Sequence, residues 1–360
     1  MVESIQIKEQ SNRRLVFLDF IRGIAALAVF FQHALEKLYW SDFFESFSNW
    51  FSLGKFGVVL FFLTSGFIIP VSLERGGSAK RFWIGRFFRL YPIYWTSLFL
   101  VVILYLIGFD VTPKGFGENF AYNTLLNLTM FQQFVGVPPA QGLYETLTLE
   151  IIFYITCTIL FLLKLHKKSY IWAWSVLILT VVASVLLPLK LHQRLPMAAI
   201  FYILSMFVGT VLYRYYSKVV TKRQVIQLLF TVFCVAVVGV YINYVLYKKL
   251  NGDNYTFTSV IASWTAGYAF FLGAFILRDR VFPKVFSWLG QISYSVYVLH
   301  PSAIKLTGFF PQPLGLAVSL VSTLILSSAT FHFIEQPMIG FGRKIQKKIV
   351  AVQQRTNLSL

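Results

Sequence analysis

The run LVFLDFIRGIAALAVFFQHAL, residues 15–35, sets an arginine and a histidine eleven residues apart in a stretch long enough to cross a bilayer. At 100° per residue Arg22 and His33 share one helical face, roughly 16 Å apart along the axis. Ionisable groups inside a membrane helix are costly and usually mark a pathway or a reaction site. A neutral imidazole there can take a proton from a hydroxyl and pass it to a leaving group, because its pKa lies near the working pH. The bland alternative for His33 is a hydrogen bond between helices that serves packing alone. Asp19, three residues before Arg22 on the same face, reads as its local ion partner.

A second pair of cations sits in RFFRLYPIYW, where Arg86 and Arg89 are spaced by three and preceded by Arg81. That spacing puts both guanidiniums on one face, and guanidinium forks hold phosphates in a bidentate way. The competing account is a snorkelling anchor at the membrane surface. Pro92 is expected to kink or open this helix. Glu150, in YETLTLEIIFYI, falls seven residues into an apolar span, where a carboxylate needs a partner. It is expected either to orient His33, as an acid orients the histidine of an acyl-transfer triad, or to pair with an arginine. His300 (SYSVYVLHP) and Glu335 (FHFIEQP) are supporting positions, whereas His332 reads as structural and His166 and His192 as loop residues. No metal-binding motif is present, so no metal is expected. Nor is there a P-loop, a dinucleotide fingerprint or a G-x-S-x-G elbow.

Positioning these groups falls to an all-α integral membrane protein. The chain is 57% hydrophobic and only 13% charged, with 38 Phe and 19 Tyr; its mean hydropathy is +0.68. Ten spans can be drawn, at about 15–36, 53–72, 87–108, 143–163, 170–188, 196–214, 225–247, 256–277, 286–304 and 313–334. A net charge of +18 would suggest nucleic acid in a soluble protein. Here the cations alternate instead: 23 lie in one set of connecting segments and 8 in the other, with Arg22 inside a span. The positive-inside rule places the richer set and both termini in the cytoplasm, and no nucleic-acid partner is expected.

The organisation read from this pattern is a cytoplasmic segment 1–14, one transmembrane domain 15–335 and a basic cytoplasmic tail 336–360. The first span is too long and too charged for a cleavable signal. Glu36, Asp42, Glu45, Asp110, Glu118 and Asp253 read as loop acids on the outer side. Cys157 and Cys234 read as packing residues of apolar spans rather than a disulfide. Residues 109–142, with Gly115, Gly117, Pro138 and Pro139, suit a lid or a re-entrant piece.

Taken together, these residues resemble the membrane-bound acyltransferase-3 family. LDFIRGIAALAVFFQHA is similar to its first helix, FGVVLFFLTSGFII (56–69) to its glycine-bounded second helix, and Arg86 with Arg89 to its R-x-x-R motif. ETLTLEIIFY (145–154) is similar to the family stretch that carries a glutamate, here Glu150; LGQISYSVYVLHP and FHFIEQP resemble its two C-terminal signatures. Val59 stands where many members have an acid, and Glu145 where tryptophan is common. The resemblance implies O-acetylation of a bacterial surface polysaccharide or lipid-linked glycan (O-antigen or exopolysaccharide) from the inner membrane. Acetyl-CoA is then the donor co-substrate and no cofactor stays bound. Arg22, Arg86 and Arg89 would hold the donor's phosphates, while His33 acts as base or as a transient acetyl carrier. A different acyl-CoA, such as succinyl-CoA, keeps the same scheme. Mid-span charges also suit a transporter or flippase of an anionic or glycolipid substrate.

Overall fold

Apolar runs of membrane length, closed by polar caps, give a bundle built wholly of helices among the described residues. The computed structural model describes residues 15–38, 42–109, 111–247 and 255–358. The segment 1–14 and the charges Asp110, Lys248, Lys249 and Asp253 lie outside the described residues. In chain order the helices are α1 (Val16–Leu38), α2 (Asp42–Trp50), α3 (Leu53–Gly76), α4 (Ala79–Leu106), α5 (Phe120–Asn127) and α6 (Tyr144–Leu162). Then come α7 (Ser169–Val181), prolonged through a π turn to Leu191, α8 (Ala198–Tyr216), α9 (Lys222–Tyr241) and α10 (Phe257–Ile276). The last three are α11 (Lys284–Thr307), α12 (Leu314–Thr330) and α13 (Gln336–Leu358), the latter two joined by a π turn at Phe331–Glu335.

Local chemistry sets several ends. Ser52 caps α3 by accepting from the Lys55 N–H at 3.2 Å, and Gly77 closes the same helix at φ +61°. Thr221 and Gln224 form a reciprocal capping box on α9. Pro92 lies within α4 without ending it: the helix runs on uninterrupted to Leu106, and the expected opening is not seen there.

Nine helices among the described residues are long and apolar enough to span a membrane. The one expected span not among these nine, 286–304, forms the 24-residue helix α11, but Gln291, His300 and Pro301 make it more polar. It is nevertheless among the most enclosed, because α1, α12 and α4 pack around it. A polar helix survives in a bilayer when protein rather than lipid covers it. The outward faces of the others carry Phe99, Ile178, Phe230 and Ile325, all more than half exposed, as a lipid-facing surface requires. Cys157 is buried, Cys234 faces outward, and neither forms a disulfide.

The site's frame is α1 held between α11 and α3. Backbones touch where glycines permit it: a Cβ on Gly290 of α11 would fall 1.9 Å from the Asp19 carbonyl oxygen. Such close crossings are how membrane helices gain packing without a hydrophobic driving force between them. Gly290→Ala therefore forces apart the helices that carry Arg22 and Tyr294; we expect about 1–3 kcal/mol of destabilisation, read as a lower melting temperature in detergent with loss of the folded fraction.

At one end of the bundle Arg214 of α8 is buried against Glu74 of α3, in a bidentate pair that also uses the His166 carbonyl and Ser169. This ties three helices together, and removing one partner would strand a buried charge. Residues 111–142 fold back against α4. Tyr91, Tyr94 and Trp95 of α4 donate to the carbonyls of Thr129, Asn127 and Leu128 at 2.8, 2.6 and 2.9 Å. The segment thus lies along α4 as far as Tyr91, about 22 Å from the helix end at Leu106.

Candidate active site

A cavity of about 800 Å³ is lined by α1, α3, α4, α6, α11 and the α12–α13 junction. On α3 its lining runs from Val58 to Arg75, about 26 Å along the helix axis. Five arginines (Arg22, Arg75, Arg86, Arg89 and Arg343) face three carboxylates (Asp19, Glu150 and Glu335) across it, which leaves a surplus of two positive charges. Arg22, Arg86 and Arg89, expected to hold the acyl donor's phosphates, are thus brought together from two helices. Arg75 and Arg343 were legible only as topology signals; their spacing from the others carries no motif. Arg343 also lies in the stretch read as a tail. That stretch is the helix α13, packed on α4 with the Phe341 ring 5.3 Å from Phe88 and Gln346 donating to the Arg81 carbonyl at 2.6 Å.

The carboxylates are held individually. Glu150 accepts from Ser65 Oγ at 2.8 Å and from Tyr154 Oη at 2.5 Å. The Arg86 guanidinium lies over the Tyr154 and Phe82 rings at 5.5 and 5.4 Å, a cation–π cradle that fixes its direction. Buried Glu335 accepts from Ser295 Oγ at 3.0 Å. Arg22 sits in the field of Arg89, Asp19, Glu335 and Glu150 together. The three acids therefore offset three of the arginines, where an uncompensated cluster of buried cations would be too costly. Any anion admitted draws on the surplus.

His33 does not line this cavity. Its ring is 48% exposed, with Nδ1 3.3 Å from Glu36 Oε2, one turn on. Glu150, the expected orienting acid, is engaged elsewhere, so the expectation that it pairs with His33 is corrected. The nearer acid prevails because an i,i+3 carboxylate on the same helix is already in reach. Glu36 had read as a loop acid, and H-x-x-E spacing was the available signal. His300 is fully buried and stacks on His33, with ring centroids 5.4 Å apart and planes at 20°. Its Nδ1–H donates to the Val296 carbonyl at 3.1 Å, since a carbonyl can only accept. Nε2 is left as a buried acceptor with no partner.

Between cavity and imidazoles stands Tyr297. It lines the cavity, shares a 2.6 Å hydrogen bond with Thr146 Oγ1, packs edge-on against Phe61, and has its ring 6.2 Å from that of His300. The order is thus basic end, cavity, Tyr297–Thr146 wall, His300, His33. Neither position that departs from the family pattern lines the cavity: Val59 is buried against Gly267 of α10, and Glu145 is exposed.

A family model described as an acyltransferase domain matches residues 15–332. The chain is 25% identical over 318 residues to "Putative acetyltransferase ORF330" of Acidianus two-tailed virus, covering 84% of this chain and 87% of that one. It is 25% identical over 370 residues to "Putative peptidoglycan O-acetyltransferase YrhL" of Bacillus subtilis (strain 168), covering 92% of this chain and 56% of that protein. Against "Nodulation protein 10" of Rhizobium leguminosarum bv. viciae identity is 29% over 169 residues, 42% of this chain and 46% of the other. The chain therefore spans only about half the length of the last two. No solved structure matches.

Proposed function

The chain belongs to the membrane acyltransferase-3 family, and from that premise we propose that it moves an acetyl group from cytosolic acetyl-CoA to a sugar hydroxyl of a surface polysaccharide or lipid-linked glycan. One observation carries this reading: a single cavity runs about 26 Å from a cationic mouth to a wall one ring away from a pair of stacked histidines. An acyl-CoA has that shape, an anionic nucleotide head and an extended arm ending in a thioester. A chain of 15–20 Å is on the order of the arm's extended reach.

In this scheme Arg75 and Arg343 meet the head at the mouth, and Arg86, Arg89 and Arg22 take phosphate oxygens further in. The arm runs along α3 and α11 towards Tyr297. Rotation of Tyr297 away from Thr146 opens the wall and brings the thioester carbonyl to the imidazoles. His33 then removes the proton of the acceptor hydroxyl. The hydroxyl oxygen attacks the acyl carbon, the C–S bond breaks, and the proton passes from His33 to the departing sulfur. His300, with a bare Nε2 and a fixed Nδ1–H, accepts a hydrogen bond from a neighbouring sugar hydroxyl and so orients the acceptor.

The cationic mouth is proposed to face the cytoplasm, with His33 towards the outer face of the bacterial inner membrane, as the charge asymmetry favours. Peptidoglycan acetylation in the name of the Bacillus relative supports a carbohydrate acceptor. Purified protein in liposomes is expected to pass radiolabel from acetyl-CoA to a glycan acceptor; a parallel arm with succinyl-CoA tests the acyl group. Label that moves across the bilayer but never onto glycan would favour the transporter reading and overturn this one.

A further inference from the structure

Gln32 precedes His33 in α1, is only 2% exposed, and hydrogen-bonds through both its side-chain oxygen and its side-chain nitrogen. Its side-chain oxygen accepts from the Gly54 N–H at 3.1 Å and from Ser52 Oγ at 3.4 Å. The amide is therefore oriented, and its Nε2 donates to Glu36 Oε1 at 2.6 Å. The other oxygen of the same carboxylate, Oε2, lies 3.3 Å from His33 Nδ1. Ser52 is itself clamped, because its N–H donates to Ser263 Oγ of α10 at 2.7 Å. A chain of hydrogen bonds thus runs from the backbone of α3 through Gln32 and Glu36 to the imidazole.

We propose that Glu36 and Gln32 are positioning residues for His33, a role that rests on the reading of His33 as the base. A carboxylate can only accept, so Glu36 holds the proton on Nδ1 and presents the lone pair of Nε2 to the acceptor hydroxyl. During transfer the hydroxyl proton goes to Nε2, and its electron pair forms the C–O bond to the acyl carbon. The thioester C–S bond then breaks, and the thiolate takes the proton back from Nε2. The Nδ1 proton stays between His33 and Glu36 throughout, where the carboxylate stabilises the transient imidazolium. Gln32 keeps that carboxylate from rotating off Nδ1. His300, stacked on the ring's face, limits the tilt of the imidazole in the remaining direction.

The test compares Glu36→Gln, Glu36→Asp and Gln32→Met in proteoliposomes, with acetyl-CoA binding measured on the same samples. Glu36→Gln offers Nδ1 an amide and loses the charge. We expect its kcat to fall about 100-fold, short of the roughly 10⁴-fold seen for a buried orienting acid, because the His33–Glu36 pair is 48% and 32% exposed. The KM for acetyl-CoA stays within about twofold, Glu36→Asp recovers most of the rate, and Gln32→Met loses about tenfold. A purely structural pair would behave otherwise: Glu36→Gln and Glu36→Asp would lose activity equally and donor binding would fall with it, which overturns the proposal. So does a parent-like kcat in both Glu36→Gln and Gln32→Met. An active His33→Ala protein sinks the base reading itself, whereas an inactive His33→Ala beside a fully active Glu36→Gln sinks only the role of Glu36.

Discussion

His33→Ala is expected to lower acetyl transfer by about 10²- to 10⁴-fold, the range for loss of a positioned general base. That corresponds to roughly 3–5 kcal/mol of transition-state stabilisation. The same variant should bind acetyl-CoA as the parent does, because the imidazole lies beyond the Tyr297–Thr146 wall and outside the cavity lining. It should also fold normally, since nearly half of the ring is exposed and its loss leaves little void. Transfer is measured as labelled acetyl on glycan at matched amounts of protein in liposomes. Near-parental transfer would remove His33 from the chemistry.

The second large effect is on donor binding. Arg89→Ala removes a guanidinium from a cavity whose three carboxylates stay in place, so the surplus that attracts phosphate falls from two charges to one. A hydrogen bond to a charged group is worth about 1.5–3 kcal/mol, hence a Kd for CoA raised about 10- to 100-fold. Arg86→Ala should act alike, with an added loss of rigidity because its guanidinium braces the ring of Tyr154, which donates to Glu150. Replacing Arg75 and Arg343 together brings the lining to balance. At the mouth this loss should be sensitive to ionic strength, as exposed charges are screened within about 10 Å at 0.1 M salt. Calorimetric titration of detergent-purified protein with CoA reads all three. Unchanged affinity in Arg89→Ala would refute the phosphate role.

Much of the frame was legible because membrane helices must satisfy their backbones internally and show long apolar runs. The spans, the reach of α1 and the shared face of Arg22 and His33 follow from run length and the helical repeat alone. Arg86 and Arg89 were legible through their spacing, and family membership through ordered motifs. Glu36 was missed because an acid near a helix end reads as a loop charge until the end is known; α1 runs to Leu38 and carries Glu36 on its last turn. Arg343 was missed because a basic C-terminal stretch reads as a tail unless one sees that it packs on α4.

Composition and periodicity by themselves determined that this chain is a helical membrane protein with an arginine and a histidine on one face of its first span. Which acid attends which base was decided by tertiary structure. Glu150 went to Ser65 and Tyr154 among the arginines, and Glu36 to His33 and Gln32. The reason is geometric: helical spacing constrains pairs within one helix to a few ångströms, while pairs between helices depend on crossings such as that of Gly290 with Asp19, which no local pattern encodes.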